Sequence, residues 1–108
     1  MEPVFKALAD PVRRAILDSL FCKGGQRLND LIEGHGMSRQ AVSNHLRILE
    51  EANLVAVVWK GREKLHYLNP VPIHEIATRW IAKFQTGQLE ALSNFKQSLE
   101  SQEKPNHE

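Results

Sequence analysis

The apolar positions of the chain recur at helical spacing, switch to a strand-like run past the middle, and return to helical spacing for the rest. Pro3, Val4, Phe5 and Leu8 open a short first helix with one apolar face. Asp10 then makes a good N-cap, and Pro11 fits a first helical turn, where its missing N–H costs nothing. The helix from Pro11 to about Cys22 carries Val12, Ile16, Leu17 and Leu20 on one side. Lys23-Gly24-Gly25 closes it, with lysine favourable at a helix C-terminus and glycine suited to a left-handed cap. A third helix is expected from Leu28 to about Glu33, with Leu28, Leu31 and Ile32 inward and Gly34-His35-Gly36 as its stop. Ser38 reads as the N-cap of a fourth helix reaching about Asn53. Val42, Leu46 and Leu49 form its spine, while Gln40, Ser43, Asn44, Arg47 and Glu51 fall on the opposite face.

At Leu54 the pattern changes. Leu54-Val55-Ala56-Val57-Val58-Trp59 is β-branched and apolar, Lys60-Gly61-Arg62 is a tight turn, and Glu63 to Leu68 alternates as a returning strand. Asn69-Pro70-Val71-Pro72 ends the hairpin. Beyond it Ile73, Ile76, Ala77, Trp80, Ile81, Phe84, Leu92, Phe95 and Leu99 recur near helical spacing, and Thr86-Gly87-Gln88 marks either a kink or a break. A continuous helix of about thirty residues would reach about 45 Å, longer than so small a domain is wide. Part of its stripe then needs an outside cover, and a second copy of the chain is the simplest. Residues 1–100 are expected to form one domain, and 101–108 a polar, frayed tail.

Composition narrows the classes. The 108 residues are 42% hydrophobic and 25% charged, an ordinary globular balance that excludes disordered and fibrous classes. No run approaches the ~18 apolar residues of a membrane span, and Met1 to Lys6 lacks the basic and apolar regions of a signal peptide. The single cysteine, Cys22, allows no internal disulfide, so a cytoplasmic location is expected. Net charge is +1, but residues 36–70 hold Arg39, Arg47, Lys60, Arg62 and Lys64 against Glu50, Glu51 and Glu63, a local +2. There is no Gly-rich phosphate loop, nucleophile elbow or paired carboxylate set, so no enzyme is expected.

The order of elements gives these charges a use. Two helices joined by the short Gly34-His35-Gly36-Met37 connector fit a helix-turn-helix, and a hairpin directly after the second is its wing. The expected fold is therefore mainly α with a β-hairpin: a winged helix-turn-helix. Ser38, Arg39, Gln40, Ser43, Asn44 and Arg47 suit a helix entering the major groove of double-stranded DNA. Arginine reads guanine, glutamine or asparagine reads adenine, and serine or free N–H groups hold phosphate. Lys60, Arg62 and Lys64 suit the sugar–phosphate backbone beside it. The alternative, a winged-helix module docking on protein without specific DNA binding, predicts acidic or apolar side chains on that face.

Three segments also resemble a known family. Phe5 to Leu17 (FKALADPVRRAIL), Met37 to Val55 (MSRQAVSNHLRILEEANLV) and Lys60 to Leu68 (KGREKLHYL) are similar to the opening, recognition helix and wing of ArsR/SmtB-type winged-helix repressors, over roughly residues 4–85. The resemblance implies a homodimeric repressor of a dyad-symmetric operator; a site upstream of its own gene is a separate expectation. It places the dimer interface on the first and last helices, at Val4, Phe5, Leu8, Trp80, Phe84, Leu92 and Phe95. Metal-sensing members carry Cys-x-Cys in the third helix, where this chain has Leu28-Asn29-Asp30-Leu31-Ile32, or paired histidine motifs on the last helix, where it has only His74 and Glu75. Zinc needs three or four ligands at fixed geometry. The branch implied is the non-metal one, with no cofactor and an unidentified effector.

The remaining polar residues have plainer readings. His45 is expected to be a packed or hydrogen-bonded structural histidine, with phosphate contact second. His66 is expected on the strand surface, and Cys22 buried or half-buried. Arg13-Arg14 reads as a solvated helix start, with phosphate or intersubunit contact as the other options. Glu50 and Glu51 would repel phosphate, so their end of the fourth helix should point away from DNA.

Overall fold

The computed structural model describes residues 1–83 and 86–103, the side chains at 82, 86–89, 102 and 103 excepted. The elements run α1 (Glu2–Leu8), α2 (Pro11–Cys22), α3 (Leu28–His35), α4 (Arg39–Glu51), β1 (Val55–Lys60), β2 (Glu63–Leu68), α5 (Val71–Lys83) and α6 (Thr86–Glu103). The chain divides into two compact units, Met1–His74 and Glu75–Glu108. The first contains the helix-turn-helix and the hairpin.

Its core is what the helical spacing selects. Ile16, Leu20, Leu31, Val42, Leu46 and Leu49 are buried, one stripe from each of α2, α3 and α4. Each fully buried side chain of this kind contributes about 1.5–3 kcal/mol relative to exposure. The caps fix where the helices begin. Asp10 accepts from the N–H of Val12 at 2.8 Å and of Arg13 at 3.2 Å. Burial raises its pKa, but those two bonds and the Arg13 charge outweigh burial and hold the carboxyl below its ordinary value. At α3, Asp30 accepts from the Arg27 N–H at 2.9 Å, a bond that lowers its pKa.

The end of α4 is a Schellman motif. Asn53, with φ of 61°, gives its N–H to the Glu50 carbonyl, and the N–H of Leu54 returns to the Leu49 carbonyl, both at 2.9 Å. The helix therefore stops at Glu51, and Leu54 turns inward to full burial before β1. β1 and β2 pair antiparallel from Val55↔Leu68 to Lys60↔Glu63. Gly61 has φ of 63°, which a two-residue turn of the II′ kind requires at its first position.

Several expectations are corrected here. His66 is not a surface residue: it is 2% exposed, and its backbone bridges Gln26. Its Nδ1 lies 2.8 Å from the Gln26 carbonyl, and a carbonyl only accepts, so Nδ1 carries the proton. Strand alternation alone cannot see Gln26, a third chain segment lying against the hairpin. Arg13 is not a solvated helix start but a buried side chain. Its Nε donates to the Ala7 carbonyl at 2.8 Å and its Nη2 to the Lys6 carbonyl at 3.1 Å, closing the C-terminus of α1. Arg14 donates to the Leu8 carbonyl at 2.7 Å from an exposed position. Cys22 is exposed, because α2 turns its last residue outward.

The final apolar stripe is carried by two helices, α5 ending at Lys83 and α6 beginning at Thr86. Gly87 falls in the first turn of α6, where glycine interrupts fewer intrahelical bonds than it would in an interior. Residues 84 and 85 lie outside the described residues. Of the expected polar tail, residues 101–103 are helical and 104–108 lie outside the description. No described helix is long and apolar enough to cross a membrane.

Candidate nucleic-acid interface

The site grows from the two ends of α3 and α4. Gly36, in the left-handed region at φ of 61°, stops α3 and turns the chain toward Ser38. Ser38 Oγ then accepts from the Ala41 N–H at 3.2 Å and starts α4. That hydroxyl is thus occupied as a cap, while the first N–H groups of α4 have no intrahelical acceptor. Val42, Leu46 and Leu49 hold one side of the helix in the core. The opposite side presents Arg39, Gln40, Ser43, Asn44 and Arg47, all exposed.

Some of these side chains are already oriented. Arg39 Nη2 donates to Asn29 Oδ1 on α3 at 2.8 Å. Arg47 donates to Asn44 Oδ1 at 2.8 Å and to Glu51 Oε1 at 3.1 Å, so one of the two acidic residues is covered from within the helix. His45, at the edge of the buried side, is half-buried as expected, with Nδ1 3.3 Å from Arg13 Nη1.

The wing splits the three expected cations. Lys60 and Arg62 are exposed at the tip. Lys64 instead turns to α4, its Nζ 3.3 Å from Glu50 Oε1. Glu63 takes Arg27 Nη1 at 3.1 Å, tying the wing to the start of α3. Between wing and helices lies a cleft of about 330 Å³ lined by Arg27, Leu28, Asn29, Arg39, Arg62, Glu63 and Lys64. Of its four cations, Arg27 is paired with Glu63 and Asp30 and Lys64 with Glu50, which leaves Arg39 and Arg62 without a carboxylate in the cleft and gives it a positive field that attracts polyanions. Sequence reading missed Arg27 and Asn29, which lie outside the α4 and wing motifs and reach the cleft only through the fold.

The residues expected at a dimer interface divide as well. Phe5 is 44% exposed, and Trp80, Leu92 and Phe95 are exposed, whereas Leu8 is half-buried. Val4, at 8%, faces its own chain's core, which corrects its place in a surface set. Phe84 lies outside the described residues. No group of three or more His, Cys, Asp or Glu able to hold a metal occurs among the described residues.

A two-helix reader with a basic wing, built on a small helical core, defines a winged helix-turn-helix regulator of transcription. Residues 8–58 match the family described as a helix-turn-helix domain. The chain is 36% identical over 85 residues to the transcriptional repressor SdpR of Bacillus subtilis (strain 168), covering 78% of this chain and 91% of that one. It is 38% identical over 68 residues to the arsenical resistance operon repressor of the same organism, covering 63% and 65%. An ArsR-like transcriptional regulator from Rhodococcus sp. RHA1 superposes with a TM-score of 0.72 at 31% identity, over 93% of this chain and 90% of that chain. The chain belongs to the ArsR-type family of winged helix-turn-helix repressors, DNA-binding proteins that act on transcription in a sequence-specific way.

Proposed function

We propose that the chain acts in the cytoplasm as a homodimer that represses transcription by occupying a dyad-symmetric operator, with a site upstream of its own gene. Residues 1–100 serve as one DNA-binding and dimerisation domain, with 101–108 as a polar tail. Arg39, Gln40, Ser43, Asn44 and Arg47 read or position one half-site in the major groove, and Ser38 sets the start of the helix that carries them. Lys60 and Arg62 hold the neighbouring backbone. Lys64 joins them by exchanging Glu50 for phosphate. Dimerisation through the first and last helices sets the half-site spacing near one helical turn or a multiple of it. No catalytic step and no metal enter this reading.

One observation carries it: from Arg39 to Arg47 the exposed face of α4 presents arginine, glutamine, serine and asparagine, its one carboxylate, Glu51, lies at the far end tied to Arg47, and beside it lies a cleft lined by four cations and one carboxylate. A protein-docking module would present apolar or acidic groups there. Fluorescence anisotropy on DNA from upstream of the gene, against a scrambled duplex at near-physiological salt, tests the reading. A preference of about a thousandfold or more supports it. Equal binding to both duplexes refutes an operator at that position, and loss of all duplex binding at low salt refutes the DNA reading itself.

A further inference from the structure

Trp59 is 65% exposed at the outer end of the wing. It pairs with Lys64 across the hairpin, so the two side chains rise from the same face. Lys64 Nζ meets Glu50 of α4 at 3.3 Å, which identifies that face as the one turned toward the recognition helix. Lys60 follows Trp59 on the opposite face of the strand and Arg62 closes the turn, both exposed, so the end of the wing that carries the indole is rich in cations. An exposed indole offers apolar area that a partner can bury, and a cationic setting disfavours an apolar or basic protein partner. It suits a polyanion with apolar surface between its charges, which is what a DNA backbone offers in its deoxyribose rings. Lysine and arginine satisfy the phosphates but desolvate little of the sugar. An indole supplies a broad apolar face together with one N–H donor.

We infer that Trp59 is a DNA contact. Its indole packs against deoxyribose of the strand that passes between α4 and the wing, and its Nε1–H donates to phosphate. The inference rests on α4 and the wing forming the DNA-binding surface. Because sugar and phosphate repeat at every step, the contact adds affinity without sequence preference.

Protein labelled with 5-fluorotryptophan has two indoles to observe by fluorine NMR, at Trp59 and Trp80, and Trp59→Phe assigns them. A short scrambled duplex suffices as probe, since the contact is independent of sequence. The Trp59 resonance is expected to move with the binding isotherm measured by anisotropy on the same duplex. Trp59→Ala should weaken scrambled and upstream duplexes alike by about tenfold, and Trp59→Phe by about threefold or less. A resonance that stays in place while duplex binds overturns the inference, as does a Trp59→Ala variant with parental affinity or a changed preference between duplexes. Should Trp59→Ala fail to fold, the resonance of the unaltered chain still decides. A chain that binds neither duplex at low salt overturns the DNA-binding reading and this inference with it, an outcome distinct from the other failures.

Discussion

Arg13 of α2 places Nη1 3.3 Å from Nδ1 of His45 on α4, while its other nitrogens hold the carbonyls of Ala7 and Lys6. A guanidinium has only donors, so His45 Nδ1 is the acceptor. One buried side chain thus joins the end of α1 to the recognition helix. Arg13→Met should destabilise the protein by roughly 2–4 kcal/mol, because it strands polar groups that have lost water. Arg14→Ala, which removes a bond made at the surface, should stay within about 0.5 kcal/mol. Urea unfolding of the two variants checks the contrast, and equal losses would defeat it.

That pair also shows what the sequence makes legible. The apolar stripes, the Asp10 and Ser38 caps and the tight wing turn are local signals; each appears where spacing places it, except that Lys60, read as part of the turn, is the last residue of β1 and pairs with Glu63. The exposed reading face of α4 is likewise a matter of helical periodicity. The burial of Arg13 and His66 and the Glu50 partner of Lys64 are not legible in the same way, because what meets these side chains comes from other elements: the end of α1 and His45, Gln26, and Glu50. Periodicity says which way a side chain points and nothing about what arrives to meet it.

The interface residues separate by experiment. Gln40→Ala should cost about 1–3 kcal/mol on a matched duplex and relax preference at one base pair, if its amide reads an adenine. Arg62→Ala should weaken matched and scrambled duplexes equally and lower the slope of log K against log salt by about one. A uniform loss from Gln40→Ala would remove it from the base-reading set.

Lys64 gives a prediction of opposite sign. Its ammonium is held by Glu50 across 3.3 Å, in a pair only partly shielded from water. Glu50→Gln removes a charge that repels phosphate and frees one that attracts it. The variant should bind scrambled DNA more tightly than the parent, with a steeper salt slope, whereas a Glu50→Gln,Lys64→Gln double variant should lose the gain. Weaker binding by Glu50→Gln alone would show that the ion pair matters for positioning the wing.

Acid should act through the caps. Asp10 and Asp30 both have carboxyl pKa values below the ordinary 3.8, Asp10 because its N–H bonds outweigh burial and Asp30 chiefly through the Arg27 N–H. A depressed native pKa stabilises above the unfolded value, and that contribution disappears as pH falls through the native one. The stability gap between parent and Asp10→Asn should therefore be widest near neutrality and close below about pH 4. Urea midpoints across that range measure it; a gap that widens in acid would reverse the sign.

The proposed dimer would draw on α5 and α6. Leu92, Phe95 and Leu99 are 64%, 62% and 46% exposed, and their spacing puts them on one face of the 18-residue α6. Trp80 and Ile81 of α5 are 48% and 68% exposed. Apolar side chains left this exposed on both helices favour burial against a partner, each worth about 1.5–3 kcal/mol when fully covered. A charge placed in the middle of that surface would have to be desolvated when two copies meet, without a partner to offset it. Phe95→Asp or Leu92→Asp should therefore sediment as a monomer at concentrations where the parent is a dimer. The same variants should keep helical content, because these positions contribute little to the core of the first unit. They should also lose most operator affinity while retaining weak binding to a half-site, since one copy carries a complete α4 and wing. A variant that sediments as the parent does would remove α6 from the interface, and a parent that is itself monomeric would remove the dimer.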